Sequence, residues 1–216
     1  VNINRLLELT KPVATAVVPI SAGRHIYKRE PSFPIAVACD PAFNFVYEAN
    51  IRYLHHLGEV TYFSPLADTS LPDAGFVYLP GGYPELYLAA LSANRQMLQS
   101  IRRYVESGGK LLAECGGMMY LCDEIRDKNG YVYPMAGVLH QSATMENMKL
   151  RLGYRTLLYN ETRLKGHEFH YSRLVEQQNP LPSCAVAYTA KGVETDTPLY
   201  HLSLIHISEP TRPISI

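Results

Sequence analysis

The sequence contains no tryptophan and no surplus of charge, with 20 Lys and Arg against 20 Asp and Glu. That balance argues against nucleic acid and against a charged membrane surface as partners, since both need a concentrated basic face. No run of about 18 apolar residues occurs, so no helical membrane span is expected. Cysteine is sparse, at Cys39, Cys115, Cys122 and Cys184. The one close pair, Cys115 and Cys122, lacks the C-x-x-C spacing of a redox or zinc site. Four reduced thiols in a cytoplasmic protein is the reading that results. No G-x-x-x-x-G-K-[ST] phosphate loop is present. Gly108-Gly109-Lys110 comes nearest and reads as a helix stop before a strand.

Apolar residues make up 47% of the chain and charged residues 19%, the balance of a globular protein with a core. Asn4 can cap a short helix through Leu9, ended by Lys11-Pro12. Residues 1–32 are expected to be the tail of a preceding domain plus a linker. From Pro34 the pattern becomes regular. Ile35–Cys39 reads as a buried strand of parallel-sheet type, and Glu59–Phe63, Phe76–Leu79 and Lys110–Glu114 read as the second, third and fourth strands. Between them lie two helical patterns. One carries Tyr47, Ile51, Leu54 and Leu57 and stops at Gly58. The other follows a cap at Asn94, carries Leu98, Ile101 and Val105, and stops at Gly108-Gly109. Alternating strands and helices predict a parallel sheet covered on both faces. After Gly130 the texture changes. Segments 131–140, 149–159, 165–175 and 185–189 read as strands with few helices between them, an antiparallel extension on the α/β core.

Ala113-Glu114-Cys115-Gly116-Gly117 runs an apolar strand straight into a nucleophilic residue, with a helix expected over Met118–Ile125. A nucleophile elbow needs this layout, with small residues two before and two after the nucleophile so that strand and helix pack closely. Ala113 and Gly117 occupy those positions. The helix N-terminus is expected to lower the Cys115 thiol pKa, and the Gly116 N–H is placed to bind an oxyanion. A buried cysteine before a glycine turn is the plainer alternative. Leu79-Pro80-Gly81-Gly82-Tyr83-Pro84-Glu85 ends the third strand. Ligands of open α/β sheets bind at such carboxyl ends, so the Gly82 N–H is the expected second oxyanion donor. Without the elbow, the same residues would be an ordinary turn before a helix.

These motifs, with Asp40 and Phe43-Asn44-Phe45, Phe63-Ser64-Pro65-Leu66, Leu71-Pro72 and Gly166-His167-Glu168-Phe169-His170-Tyr171-Ser172, closely resemble the amidotransferase domain of cobyrinate a,c-diamide synthases over about residues 33–200. The resemblance implies a flavodoxin-like, class I glutamine amidotransferase fold on a domain spanning 33–201. It implies thiolate attack by Cys115 on glutamine, a glutamyl thioester and released ammonia. The ammonia would amidate the a and c acetate side chains of a corrinoid bound by a separate N-terminal synthetase domain, which uses ATP and magnesium. No cofactor or metal is expected in the present domain. A hydrogenobyrinate or nickel-sirohydrochlorin diamide synthase is the neighbouring reading, because the synthetase domain chooses the acceptor. A non-catalytic α/β binding module, with Cys115 as a core thiol, is the alternative from another class.

His167-Glu168-x-His170 is a poor metal site, its histidines being three apart on an expected strand rather than four apart on a helix. His170 is the fallback base. The resemblance instead implies a partner histidine near the C-terminus, in a block like Ala-Ser-Tyr-x-His-Leu. That block is absent. Residues 202–216 read as the translation of a transposase-type sequencing adapter, which would make His206 part of an artefact. The chain is accordingly expected to be a fragment with impaired activity, its tail unpacked and no histidine within hydrogen-bond reach of Cys115.

Overall fold

The structure is a computed structural model that describes residues 34–176 and 180–202. The expected tail over 1–32 and the adapter-like tail beyond Leu202 lie outside the described residues.

Strand β1 (Pro34–Ala38) opens the first sheet. Helix α1 (Glu48–Leu57) leads to β2 (Glu59–Phe63), and β3 (Phe76–Leu79) follows. A 3-10 turn at Pro84–Leu86, α2 (Leu88–Ala93) and α3 (Arg95–Glu106) then lead to β4 (Lys110–Ala113). The four strands are parallel in the order β2-β1-β3-β4. Their pleat sorts the side chains. Ala36, Ala38, Val77 and Leu79 enter the main core with Leu91, Met97 and Ile101 from α2 and α3, while Ile35, Val37 and Tyr78 face α1. That second face is thinly covered. No residue of α1 is fully buried, and Tyr62 and Leu112 stay 49% and 47% exposed. Helices thus cover both faces, but on this side one short amphipathic helix covers β1 and β3, burying Ile35, Val37 and Tyr78, and leaves β2 and β4 partly open.

Asn94 caps α3 as expected, its side chain accepting from the Met97 N–H at 3.4 Å. Its amide also donates to the Pro65 and Asp68 carbonyls, both at 2.8 Å, so one residue stops α2, starts α3 and pins the loop after β2.

The helix expected over 118–125 is shorter. Helix α4 (Gly116–Leu121) gives way at once to β5 (Cys122–Arg126). The segment 118–125, apolar as far as Cys122, suits either element, and tertiary pairing decided it. β5 pairs with β6 (Val132–Pro134) and, in parallel, with β7 (Leu139–Thr144), burying Cys122 and Ile125. The single strand expected over 131–140 breaks between these two, where Gly137 has φ +64°.

β8 (Arg151–Tyr159) and β9 (Thr162–His170) form a long hairpin. Asn160 and Glu161 both have positive φ, 45° and 63°, as a two-residue turn with mirror-image twist requires. β10 (Arg173–Leu174) leaves this sheet to pair with β7. β11 (Val186–Thr189) and β12 (Glu194–Thr195) complete an antiparallel sheet ordered β12-β11-β8-β9.

Candidate active site

Three strand ends meet at one place. After β1, Asp40 organises the turn. One carboxylate oxygen accepts from the Ala42 and Phe43 N–H groups at 2.8 and 3.2 Å. The other accepts from the Ser64 hydroxyl and the Leu66 N–H, both at 2.9 Å, tying the ends of β1 and β2 together. The Tyr83 N–H donates to the Ala42 carbonyl at 3.0 Å, which draws the Gly81-Gly82 loop after β3 against the Asp40 turn. A Cβ on Gly82 would lie 2.0 Å from the Ala42 carbonyl oxygen, so only glycine permits this approach.

Cys115 stands between β4 and α4 with φ 47° and ψ −108°, a strained backbone for a residue with a side chain. Its neighbours hold it there. The Glu114 N–H donates to the Leu79 carbonyl at 3.0 Å, and the Gly117 N–H to the Pro80 carbonyl at 3.1 Å. A Cβ on Gly117 would fall 2.2 Å from the Leu79 carbonyl oxygen, the close packing that the small residue after the cysteine anticipates.

Cys115 and Gly82 line one cavity, together with Phe45, Glu85, Met119 and, from the far side, Phe169 and His170. Its volume is about 70 Å3. That is far below the roughly 300–1,000 Å3 of pockets for larger ligands. Although Cys115 is exposed at the cavity mouth, the walls around its sulfur push the thiol pKa upward. Backbone hydrogen bonds from Gly116 and Gly82 pull it down, while the nearby Glu85 and Glu114 carboxylates add to the rise. The expected lowering of the thiol pKa is therefore corrected: desolvation and the two carboxylates outweigh the backbone N–H groups at the start of α4. A Cβ on Gly116 would lie 3.2 Å from the Gly82 nitrogen, so the two glycines meet beside Cys115.

The Cys115 thiol donates to the Phe169 carbonyl at a long 3.9 Å. Among the described residues no histidine hydrogen-bonds to it. Both ring nitrogens of His170 are engaged elsewhere, Nδ1 with the Ser172 carbonyl and Nε2 with Glu168 Oε1, each at 2.8 Å. His201 pairs with the Tyr159 hydroxyl at 3.1 Å. His167 stacks on Phe169 with centroids 6.2 Å apart, so His167 and His170 share no ligand point.

Glu168 is the residue that sequence reasoning passed over. Only 7% exposed, it is ion-paired with Arg155 and accepts a hydrogen bond from Thr197 at 3.1 Å. Burial pushes its carboxyl up, but the His170 hydrogen bond, the Arg155 charge and Thr197 outweigh it and leave the pKa lowered. The Gly-His-Glu-Phe-His run contained it, but its partners are distant in sequence: the β8–β9 pairing brings Arg155 to it, and the segment after β12 brings Thr197. Glu85 was likewise visible only as the end of a turn motif. Burial raises its pKa beside the cavity.

The parallel sheet and the strand-to-helix junction define an α/β domain of the class I glutamine amidotransferase type. A chain in the structure of PurLQS from Thermotoga maritima shares this fold, with a TM-score of 0.52 and 16% identity over 74% of the present chain and 82% of that one. The chain belongs to the CobB/CobQ-like glutamine amidotransferase domain family, whose model matches residues 34–202. It is 40% identical to a hydrogenobyrinate a,c-diamide synthase of Pseudomonas aeruginosa, over 83% of this chain and 42% of that protein. It is 45% identical to a cobyrinate a,c-diamide synthase of Fusobacterium nucleatum, over 65% of this chain and 33% of that protein. The chain thus spans less than half the length of these relatives.

Proposed function

We propose that the domain hydrolyses glutamine and supplies ammonia for amidation of a tetrapyrrole's carboxylate side chains, as part of a larger a,c-diamide synthase. The observation that carries this reading is Cys115 at a strained strand–helix junction, with Gly82 and Gly116 meeting beside it. The Cys115 thiolate attacks the carboxamide carbon of glutamine, and the two N–H groups hold the oxygen that becomes negative. The carbon–nitrogen bond breaks, and the proton given up by the thiol leaves on the nitrogen as ammonia. Water then cleaves the thioester to glutamate and restores the thiol. Glu85, a carboxylate on the cavity wall, suits the α-ammonium group of the amino acid.

Family membership supports glutamine as the nitrogen source, and the relatives' names support cobyrinate or hydrogenobyrinate as acceptor. ATP and magnesium belong to the part of such proteins beyond this domain. The residues here do not fit a nucleotide, since the sequence has no phosphate loop and the cavity is small. His170 serves as a positioning residue, because both ring nitrogens hold the strand that carries Phe169.

The test is alkylation by diazo-oxo-norleucine followed by peptide mass mapping. The label is expected on Cys115 and absent in Cys115→Ala. Labelling that spares Cys115, or falls equally on the exposed Cys39 and Cys184, favours a non-catalytic binding domain. Replacing residues 202–216 with the Ala-Ser-Tyr-x-His-Leu type of block is expected to raise glutamine hydrolysis. No rise would return His170 to the role of base.

A further inference from the structure

The β8–β9–β11 sheet has two unlike faces. One carries the Arg155, Glu168 and His170 network. The strand register puts Leu152, Tyr154, Leu158, Val186, His167 and Phe169 on the other. On that face Tyr154 is 74% exposed and Leu152 57%. Its aromatic rings form a ladder. Tyr154 meets His167 with centroids 5.9 Å apart, His167 stacks on Phe169, and Phe169 meets Tyr171 at 6.0 Å. The ladder ends in the Cys115 cavity, whose wall includes His167, Phe169 and Tyr171. At its far end the exposed Arg163 and Lys165 add positive charge. A contiguous apolar face of this kind marks an interaction surface.

We propose that this face is where the ATP-dependent, amide-forming part of the full-length protein docks, closing the mouth of the Cys115 cavity. The proposal rests on the glutaminase reading above. Two observations choose this occupant. The Pseudomonas aeruginosa relative is covered only to 42% by its match, so more than half of such a protein must be accommodated around this domain. The apolar ladder is also continuous with the cavity, where cover is chemically required. Ammonia reaching bulk water at neutral pH becomes ammonium and is no longer a nucleophile, so the amide-forming centre must exclude water where ammonia leaves. The occupant therefore presents an apolar surface to Tyr154 and Leu152 and acidic groups to Arg163 and Lys165.

The experiment uses the full-length protein and three rates: amide formation from glutamine, amide formation from added ammonium salt, and glutamine hydrolysis without acceptor. In Tyr154→Lys and Leu152→Lys, glutamine-supported amidation is expected to fall about tenfold or more, as for loss of an interface anchor. Ammonia-supported amidation and glutamine hydrolysis are expected to stay within about twofold of wild type, because neither position lines the cavity. The milder Tyr154→Ala reads the same split if lysine disturbs the hairpin. Unchanged glutamine-supported amidation overturns the proposal. So does a change in oligomeric state with coupling intact, which would make a second copy the occupant. Glutamine-supported amidation that survives Cys115→Ala would instead sink the glutaminase reading.

Discussion

Replacing Arg155 with methionine removes one partner of a pair whose side chains are only 14% and 6% exposed. The Glu168 carboxylate keeps its hydrogen bonds to His170 and Thr197 but loses its guanidinium. Breaking a buried pair from one side costs about 3–5 kcal/mol, because the remaining charge stays desolvated. The retained His170 and Thr197 contacts put the cost at the lower end, about 3 kcal/mol. In a domain of this size that corresponds to a fall in Tm of roughly 6–12 °C. Urea denaturation followed by circular dichroism measures the difference. Acid adds a second readout with a definite sign. The folded Glu168 pKa lies below its ordinary value, so its contribution is fully present above the unfolded carboxylate pKa of about 4.3. That contribution is lost as the pH falls through the folded value. Wild-type protein should therefore lose more stability on acidification below about pH 4 than Glu168→Gln, which carries no titrating group there. A loss below about 1 kcal/mol in Arg155→Met would refute the argument, since it would place the pair in the range of surface salt bridges.

Gly117→Ala should unfold or distort the Cys115 junction, because its Cβ would lie 2.2 Å from the Leu79 backbone oxygen and no flexible side chain can yield. Thermal melts and thiol alkylation check this, and a variant with normal stability and labelling would contradict it. Iodoacetamide labelling of Cys115 should keep rising with pH beyond the ordinary thiol midpoint of about 8.5, since burial raises its pKa. A plateau reached by neutral pH would show an activated thiolate instead. Glu85→Gln should weaken glutamine-dependent protection of Cys115 from labelling while leaving the fold intact, because Glu85 is half-buried on the cavity wall. Unaltered protection would remove Glu85 from amino-acid recognition.

Local composition was enough to locate the parallel strands and the junction. Pro34–Ala38, Glu59–Phe63, Phe76–Leu79 and Lys110–Ala113 are short segments rich in apolar and β-branched residues, and each sits within one residue of its expected bounds. The nucleophile elbow was legible because steric demand falls on particular neighbours, and glycine at 117 answers it within five residues of sequence. What depended on partners far along the chain was not legible. Residues 118–125 could continue a helix or pair as a strand, and their partners β6 and β7, formed later in the chain, decided for a strand from Cys122. The direction of the Cys115 pKa shift depended on walls contributed by Glu85 and by the β9 segment, which no local pattern reports. The Glu168 network required Arg155 and Thr197 to arrive from opposite directions in sequence. Hydrogen bonds and ion pairs of this kind are set by where strands cross, whereas backbone strain and close packing at a turn are set by the residues in the turn itself.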